Sequence, residues 1–225
     1  MKNTNQEKNY ISNTVEAYQN THKAESYYKQ HHNTLSWARF IMWLELRSVK
    51  NAFKFFGVDG GNILDVPCGT GIAGQAISNF NCKITAIDIS QEMQQFAKNA
   101  YESNKLSEFI IGDITNLPLQ NNFAMGSVVL GFLHRVPNEI INKTFLELHR
   151  VNSDFVIFSF SIDSSLQRLK KFIYSKINKD FVSAPSPKSL KEMEKLLLSS
   201  QFKIEKIIRV FPFLSSEVII WLRKI

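Results

Sequence analysis

Residues 63–74, ILDVPCGTGIAG, constrain the fold of this 225-residue chain more than any other stretch. A short apolar run, Ile63, Leu64 and Val66, carries the acid Asp65 and then breaks into a Gly-rich turn. Continuous apolar runs of this length, bounded by turn residues, suit a parallel strand covered on both faces. Gly69, Gly71 and Gly74 form a literal G-x-G-x-x-G that is expected to open a helix. Glycine lets the backbone turn tightly and approach a ligand that a Cβ would hold away. Unpaired N–H groups at a helix start would favour an anion. The stretch therefore predicts a cradle for a cofactor, and two cofactors compete for it: a dinucleotide, or S-adenosylmethionine with its carboxylate.

With Asp65 four residues before Gly69, the stretch resembles motif I of the class I (Rossmann-like) S-adenosylmethionine-dependent methyltransferases, of the small-molecule type. The pattern of that family is an acid followed by x-G-x-G-x-G. This chain departs from it with Pro67 at the first glycine and Ala73 at the third. Dinucleotide-binding strands normally turn without the acid, so Asp65 favours S-adenosylmethionine.

The spacing of the next strands and their acids extends the likeness over residues 58–160. Lys83 to Asp88, KITAID, reads as the next strand, and Asp88 lies 19 residues after Gly69. That is near the spacing of a carboxylate accepting hydrogen bonds from ribose hydroxyls. Ser90 is placed to cap a helix carrying Met93, Phe96, Ala97, Ala100 and Tyr101. Residues 108–112 form a third strand, followed by Asp113 and Ile114. The resemblance implies that Asp113 accepts from the adenine amino group and that Ile114 packs on the ring. It also implies that Pro67, Thr70, Gly71, Ile89 and Leu130 line the cofactor site with Asp65 and Gly69. A dehydrogenase has no regular need for an acid at Asp113.

Residues 125–132 read as a fourth strand, after which come His134 and Arg135. Pro137 and Asn138 start a helix with Ile141, Phe145 and Leu148 on one face. FVIFSF, 155–160, is a fifth strand, and FKIEKIIRVFPF and SSEVIIWLRK read as two more. Between them, 166–181 is a basic amphipathic stretch, and Ser186 and Pro187 open a helix through Leu190, Met193 and Leu197. Strands alternating with helices give an α/β fold, doubly wound and mostly parallel. The resemblance implies seven strands with an antiparallel C-terminal hairpin. Residues 1–57 are expected as an N-terminal helical cap, with Gly57 as a C-terminal stop. Residues 58–225 are expected as the Rossmann-like core, with a basic helical insertion at about 163–184.

Chemistry is expected where strands end, in the crevice that doubly wound sheets offer to ligands. Gly69, Asp88, Asp113 and His134 all follow strand ends. His134 is the candidate catalytic base, because an unperturbed imidazole titrates near neutrality; a pocket-lining role is the alternative. Arg135 could hold an acidic substrate group. Tyr27, Tyr28, His31 and His32, from the polar, aromatic stretch of the N-terminal helical region, are candidate substrate-lining residues. No metal ligand set is read from the sequence: His31 and His32 are adjacent, and adjacent helical residues do not face one another. No N/D-P-P-Y/W motif follows strand four, and Cys68 lies in the cofactor loop, which argues against adenine, glutamine or cytosine-C5 acceptors.

Composition narrows the rest. Net charge runs from +3 over 1–60 through −3 over 61–160 to +7 over 161–225. The basic C-terminal third could steer an acidic substrate, nucleic acid or an anionic membrane, although a Lys-rich solvated surface is the favoured explanation. No apolar run approaches the ~18 residues of a membrane span. The polar first nine residues lead into no signal-peptide core, and two separated cysteines suggest no disulfide framework. A cytoplasmic setting is expected. The leading reading is methyl transfer from S-adenosylmethionine to a small molecule. Its alternatives are a membrane-associated lipid or quinone acceptor, with peripheral membrane contact, and RNA, against which the lack of a recognisable binding module argues. More distant are an NAD-dependent oxidoreductase and a non-catalytic partner subunit.

Overall fold

A computed structural model describes residues 25, 28–29, 37–98, 100–101, 106–162, 188–212 and 215–225. Its first long helix, α1 (Trp37–Phe56), precedes β1 (Asn62–Asp65) and the glycine-rich loop. Next come α2 (Gly74–Ile77), β2 (Lys83–Asp88), α3 (Gln91–Ala97), β3 (Leu106–Ile111) and β4 (Ala124–Val129). A 3₁₀ turn at Leu133–Arg135 leads into α4 (Asn138–Val151) and β5 (Asn152–Ser161). After α5 (Leu190–Leu197), β6 (Phe202–Arg209) and β7 (Glu217–Lys224) close the chain.

The strands form one seven-stranded sheet in the order β3-β2-β1-β4-β5-β7-β6. β1 to β5 are mutually parallel, and β7 runs antiparallel between β5 and β6. The order reverses between β1 and β4, which opens a crevice above the carboxyl ends of those strands. This is the doubly wound sheet with an antiparallel C-terminal hairpin that the sequence led one to expect.

Both faces of the sheet are buried, which is why its inner strands read as unbroken apolar runs. Along β5, Val156, Phe158 and Phe160 face the layer of α4 and α5. Phe155 and Ile157, on the other side, face the layer of α1 and α2. β7 repeats the division, with Val218, Ile220 and Leu222 toward the first layer and Ile219 and Trp221 toward the second. The two-residue side-chain period of a strand produces this split. At the edge, β6 instead exposes Lys203, Lys206 and Arg209, charges that discourage pairing with another chain.

α1 meets the sheet through Val49, Ala52, Phe53 and Phe56, all buried. Phe56 stacks on Phe155 at 4.5 Å between ring centroids. Phe40 and Trp43 of the same helix face outward, 41% and 53% exposed. Gly57 ends the helix at φ +66°, with its N–H on the Lys54 carbonyl and the Val58 N–H on the Phe53 carbonyl. That pair of bonds closes a Schellman motif. At the start of α5, Ser189 and Glu192 form a reciprocal capping box, while Ser186 and Pro187 lie outside the described residues. The basic stretch 166–181 lies outside the described residues.

Candidate active site

β1 delivers its acid to the crevice in an unanticipated way. The Asp65 carboxylate is buried and accepts a 2.6 Å hydrogen bond from the Tyr101 hydroxyl. Burial pushes its pKa up to about 8, against the pull of the Tyr101 bond and with a further rise from the Asp88 charge. Tyr101 read in sequence as one more residue of a helical face. Its hydroxyl instead ties the segment after α3 to the floor of the cradle.

The loop after β1 is a series of turns rather than a long helix. Bonds from Gly71 to Cys68, Gly74 to Gly71 and Ala76 to Ala73 occupy three of its N–H groups, and α2 spans only four residues. An anion site resting on a helix dipole is therefore replaced by a cradle of turn backbone. Its three glycines do different work. At Gly69, φ is +52° and nothing stands within 4 Å of where a Cβ would be. At Gly71, φ is +79° and a Cβ would meet the Ala100 Cβ at 2.6 Å. At Gly74 a Cβ would meet the Tyr101 ring at 2.6 Å. Only the first faces open space; the other two permit close packing.

Asp88 holds this loop in place. One carboxylate oxygen accepts the Gly69 N–H at 2.7 Å and the other the Ser90 N–H at 2.9 Å. Burial raises its pKa while these backbone bonds lower it. Ser90 in turn caps α3 by accepting from the Met93 N–H at 3.1 Å. After β3, Asp113 forms a local turn, its Oδ1 accepting the Thr115 N–H and hydroxyl at 2.8 and 2.9 Å. Ile114 is buried in the core layer of α4.

A cavity of about 290 Å³ opens over the cradle. Asp65, Pro67, Gly69 and Thr70 line one side, and Leu130, His134 and Arg135 the other. Gly71, Asp88, Ile89, Asp113 and Ile114 are not among its walls. Of the N-terminal candidates, Tyr27, His31 and His32 lie outside the described residues. Tyr28 is placed with its ring 5.3 Å from Phe96 of α3, away from the cavity lining. Two charged wall residues were missed by the sequence reading altogether: Glu45 from α1 and Glu217 from the start of β7.

His134 is half-buried. Its Nε2 accepts from the Arg135 Nε at 3.3 Å, and its Nδ1 has no partner among the described residues. Burial, helped by the Lys188 charge, lowers its pKa to about 4. The imidazole is therefore neutral at physiological pH and a weak proton acceptor. No cluster of three metal-ligating side chains occurs among the described residues, and none of their helices is long and apolar enough to cross a membrane.

Residues 63–154 match the family described as a methyltransferase domain. A demethylmenaquinone methyltransferase of Staphylococcus aureus is 30% identical over 129 residues, 55% of this chain and 50% of that protein. The chain thus spans about half the length of the curated relatives it matches. Magnesium protoporphyrin IX methyltransferase of Synechocystis, solved with bound S-adenosylhomocysteine, superposes with a TM-score of 0.75 at 17% identity, covering 94% of this chain and 98% of that one. Human N-acetylserotonin methyltransferase with S-adenosylmethionine superposes at 0.66 and 19% identity, covering 92% of this chain and 57% of that one. These superpositions are likenesses of fold.

Proposed function

We propose that this chain, which carries a class I, Rossmann-like methyltransferase domain, transfers the methyl group of S-adenosylmethionine to a small-molecule acceptor. One observation carries the reading: a single cavity joins the glycine cradle after β1 to the polar exit of β4. Donor and acceptor would then meet without leaving a shared, partly closed space. The walls fit the methionine end of the cofactor. Gly69 leaves open space where a side chain would stand, and the buried Thr70 hydroxyl has no partner among the described residues. Asp65 on the floor can face an ammonium group. Asp88 and Asp113 are assigned to the ribose and the adenine amino group, at the ends of β2 and β3.

When bound, the cofactor supplies an electrophilic methyl carbon on its sulfonium. The chain supplies alignment, and holding two reactants in attack geometry removes much of the entropic part of the barrier. Leu130, Met42 and Ile41 give the cavity apolar walls that exclude water. His134, neutral and hydrogen-bonded to Arg135, is assigned to lining and orientation. The test is release of S-adenosylhomocysteine from S-adenosylmethionine across a panel of hydroxyl, amine and carbon acceptors. Acceptor-dependent release supports the reading; a protein that binds NAD and releases nothing overturns it.

A second reading concerns the acceptor's surroundings. Phe40 and Trp43 are exposed on the helix whose Ile41 and Met42 line the cavity, and Phe40 meets Phe211 edge-on at 5.7 Å. An apolar, ring-bearing acceptor, of the quinone kind named for the Staphylococcus aureus relative, suits that rim. Sedimentation with anionic liposomes at physiological salt supports it, and none removes the membrane contact. A cytoplasmic setting is proposed because the buried Cys68 and Cys82 form no disulfide.

A further inference from the structure

Opposite the cradle, three separate elements bring charge to one wall of the cavity. α1 contributes Glu45, the 3₁₀ turn Arg135, and β7 its first residue, Glu217. Behind them stands Ser159 of β5, fully buried, within hydrogen-bonding reach of both carboxylates. Its oxygen already accepts the Gly131 N–H at 2.8 Å, which turns the hydroxyl proton toward the acids. Glu217 is held by its backbone: its N–H donates to the Ser215 hydroxyl at 3.0 Å and its carbonyl accepts the Val210 N–H at 3.0 Å. These side chains are not needed to build the sheet, and the cofactor assignments above leave them unused.

Two acids and one guanidinium share the wall, and Arg135 favours ionisation of Glu217 over Glu45. Burial and their mutual repulsion raise the pKa of Glu45, burial also raises that of Glu217, and Arg135 draws Glu217 back. A single hydroxyl proton on Ser159 cannot serve both carboxylates at once, so the pair has acceptor capacity left over. The other titratable groups lining the cavity are His134, Asp65 and Cys68. Burial holds His134 neutral, and it raises the pKa of both Asp65 and the Cys68 thiol. An acceptor bearing a carboxylate or phosphate would add a further anion to this wall. A hydroxyl or amine would instead give its proton to an oxygen that lacks one.

We propose that Glu45 and Glu217 form the head-group clamp of the acceptor subsite, receiving an alcohol, phenol or amine, and that Glu217 takes the proton of that head during transfer. The proposal rests on the methyl-transfer reading. In the step, the lone pair of the acceptor oxygen or nitrogen forms the new bond to the methyl carbon. The carbon–sulfur bond breaks with its electron pair returning to sulfur, and the acceptor's proton passes to the Glu217 carboxylate. Charge balances: the sulfonium becomes a neutral thioether and the carboxylate a neutral acid. Glu217, not His134, is the base, in keeping with an imidazole whose proton affinity its surroundings have lowered.

The experiment uses the full chain saturated with S-adenosylhomocysteine and three probes of one shape: benzylamine, benzyl alcohol and benzoate, titrated by calorimetry into the millimolar range. Benzylamine or benzyl alcohol is expected to bind at least about tenfold more tightly than benzoate. Glu217→Gln and Glu45→Gln, with folding checked by circular dichroism, should shrink that preference below about threefold and leave S-adenosylhomocysteine affinity unchanged. Benzoate binding as tightly as the other probes overturns the proposal, as does failure of all three to bind. A tenfold loss of S-adenosylhomocysteine affinity in either variant also overturns it, because the acids would then hold the cofactor. Failure of the wild-type chain to bind S-adenosylhomocysteine at all removes the methyltransferase reading itself, and the clamp falls with it.

Discussion

Gly71→Ala and Gly69→Ala separate packing from ligand contact within a single loop. At Gly71 the added methyl would stand 2.6 Å from the Ala100 Cβ and 3.2 Å from the Cα and Cβ of Ala97, in a backbone at φ +79°. A left-handed conformation costs an L-residue about 1–2 kcal/mol, and overpacking against short, inflexible alanines about 1–3 more. The expected loss is about 2–5 kcal/mol, which in a chain of this size lowers Tm by roughly 5–15 °C. Urea unfolding followed by fluorescence of the tryptophans measures it. Gly69→Ala meets no atom within 4 Å and carries only the backbone strain of φ +52°. It should cost about 1–2 kcal/mol of stability yet weaken S-adenosylhomocysteine binding at least tenfold, since its methyl enters the cradle. Equal stability losses in the two variants, or an unchanged affinity in Gly69→Ala, would refute the division of roles.

Asp65 yields a pH prediction. Its folded pKa, about 8, lies above the ordinary carboxylate value, so the native state holds a proton that the unfolded state releases. Its contribution to stability is therefore full below about pH 4 and declines as pH rises toward 8, by up to about 1.4 kcal/mol per unit. Asp65→Asn should give a shallower fall in urea midpoint between pH 5 and 8 than the wild type; an identical slope contradicts the assignment. Tyr101→Phe removes the 2.6 Å donor to that carboxylate and should cost about 1–3 kcal/mol by the same unfolding assay, and no loss would mean that the bond is idle. Phe53→Ala empties the junction of α1 with Phe80 and Phe155 and should cost about 3–5 kcal/mol; below 1 kcal/mol, α1 would not be anchored there.

What could be read from the sequence depended on how local each signal was. β1 and its loop were visible because an apolar run, an acid and three glycines occur within twelve residues. β5 and β7 were visible because burial on both faces leaves a continuous apolar run, and α4 because Pro137 and Asn138 mark its start. The roles of the glycines were not separable, since only packing shows that Gly71 rests on α3 and Gly74 on Tyr101. Tyr101 itself belonged equally well to an apolar helical face; its hydroxyl acts across a long gap in sequence. Glu45 and Glu217 were the largest omission. Each is an ordinary polar residue in its own element, one among helix positions and one at a strand end. They become notable only when the sheet brings β7 beside β5 and α1 crosses the opening of the cavity.

The most direct measurement of the account is calorimetric titration of the full chain with S-adenosylhomocysteine, with NAD titrated in parallel. The cavity over Asp65, Gly69 and Thr70 predicts micromolar binding of S-adenosylhomocysteine, a loss of at least tenfold in Asp88→Ala, and no heat from NAD. Binding of NAD in its place would turn the loop into a dinucleotide fingerprint, and heat from neither ligand would contradict the cofactor assignment altogether.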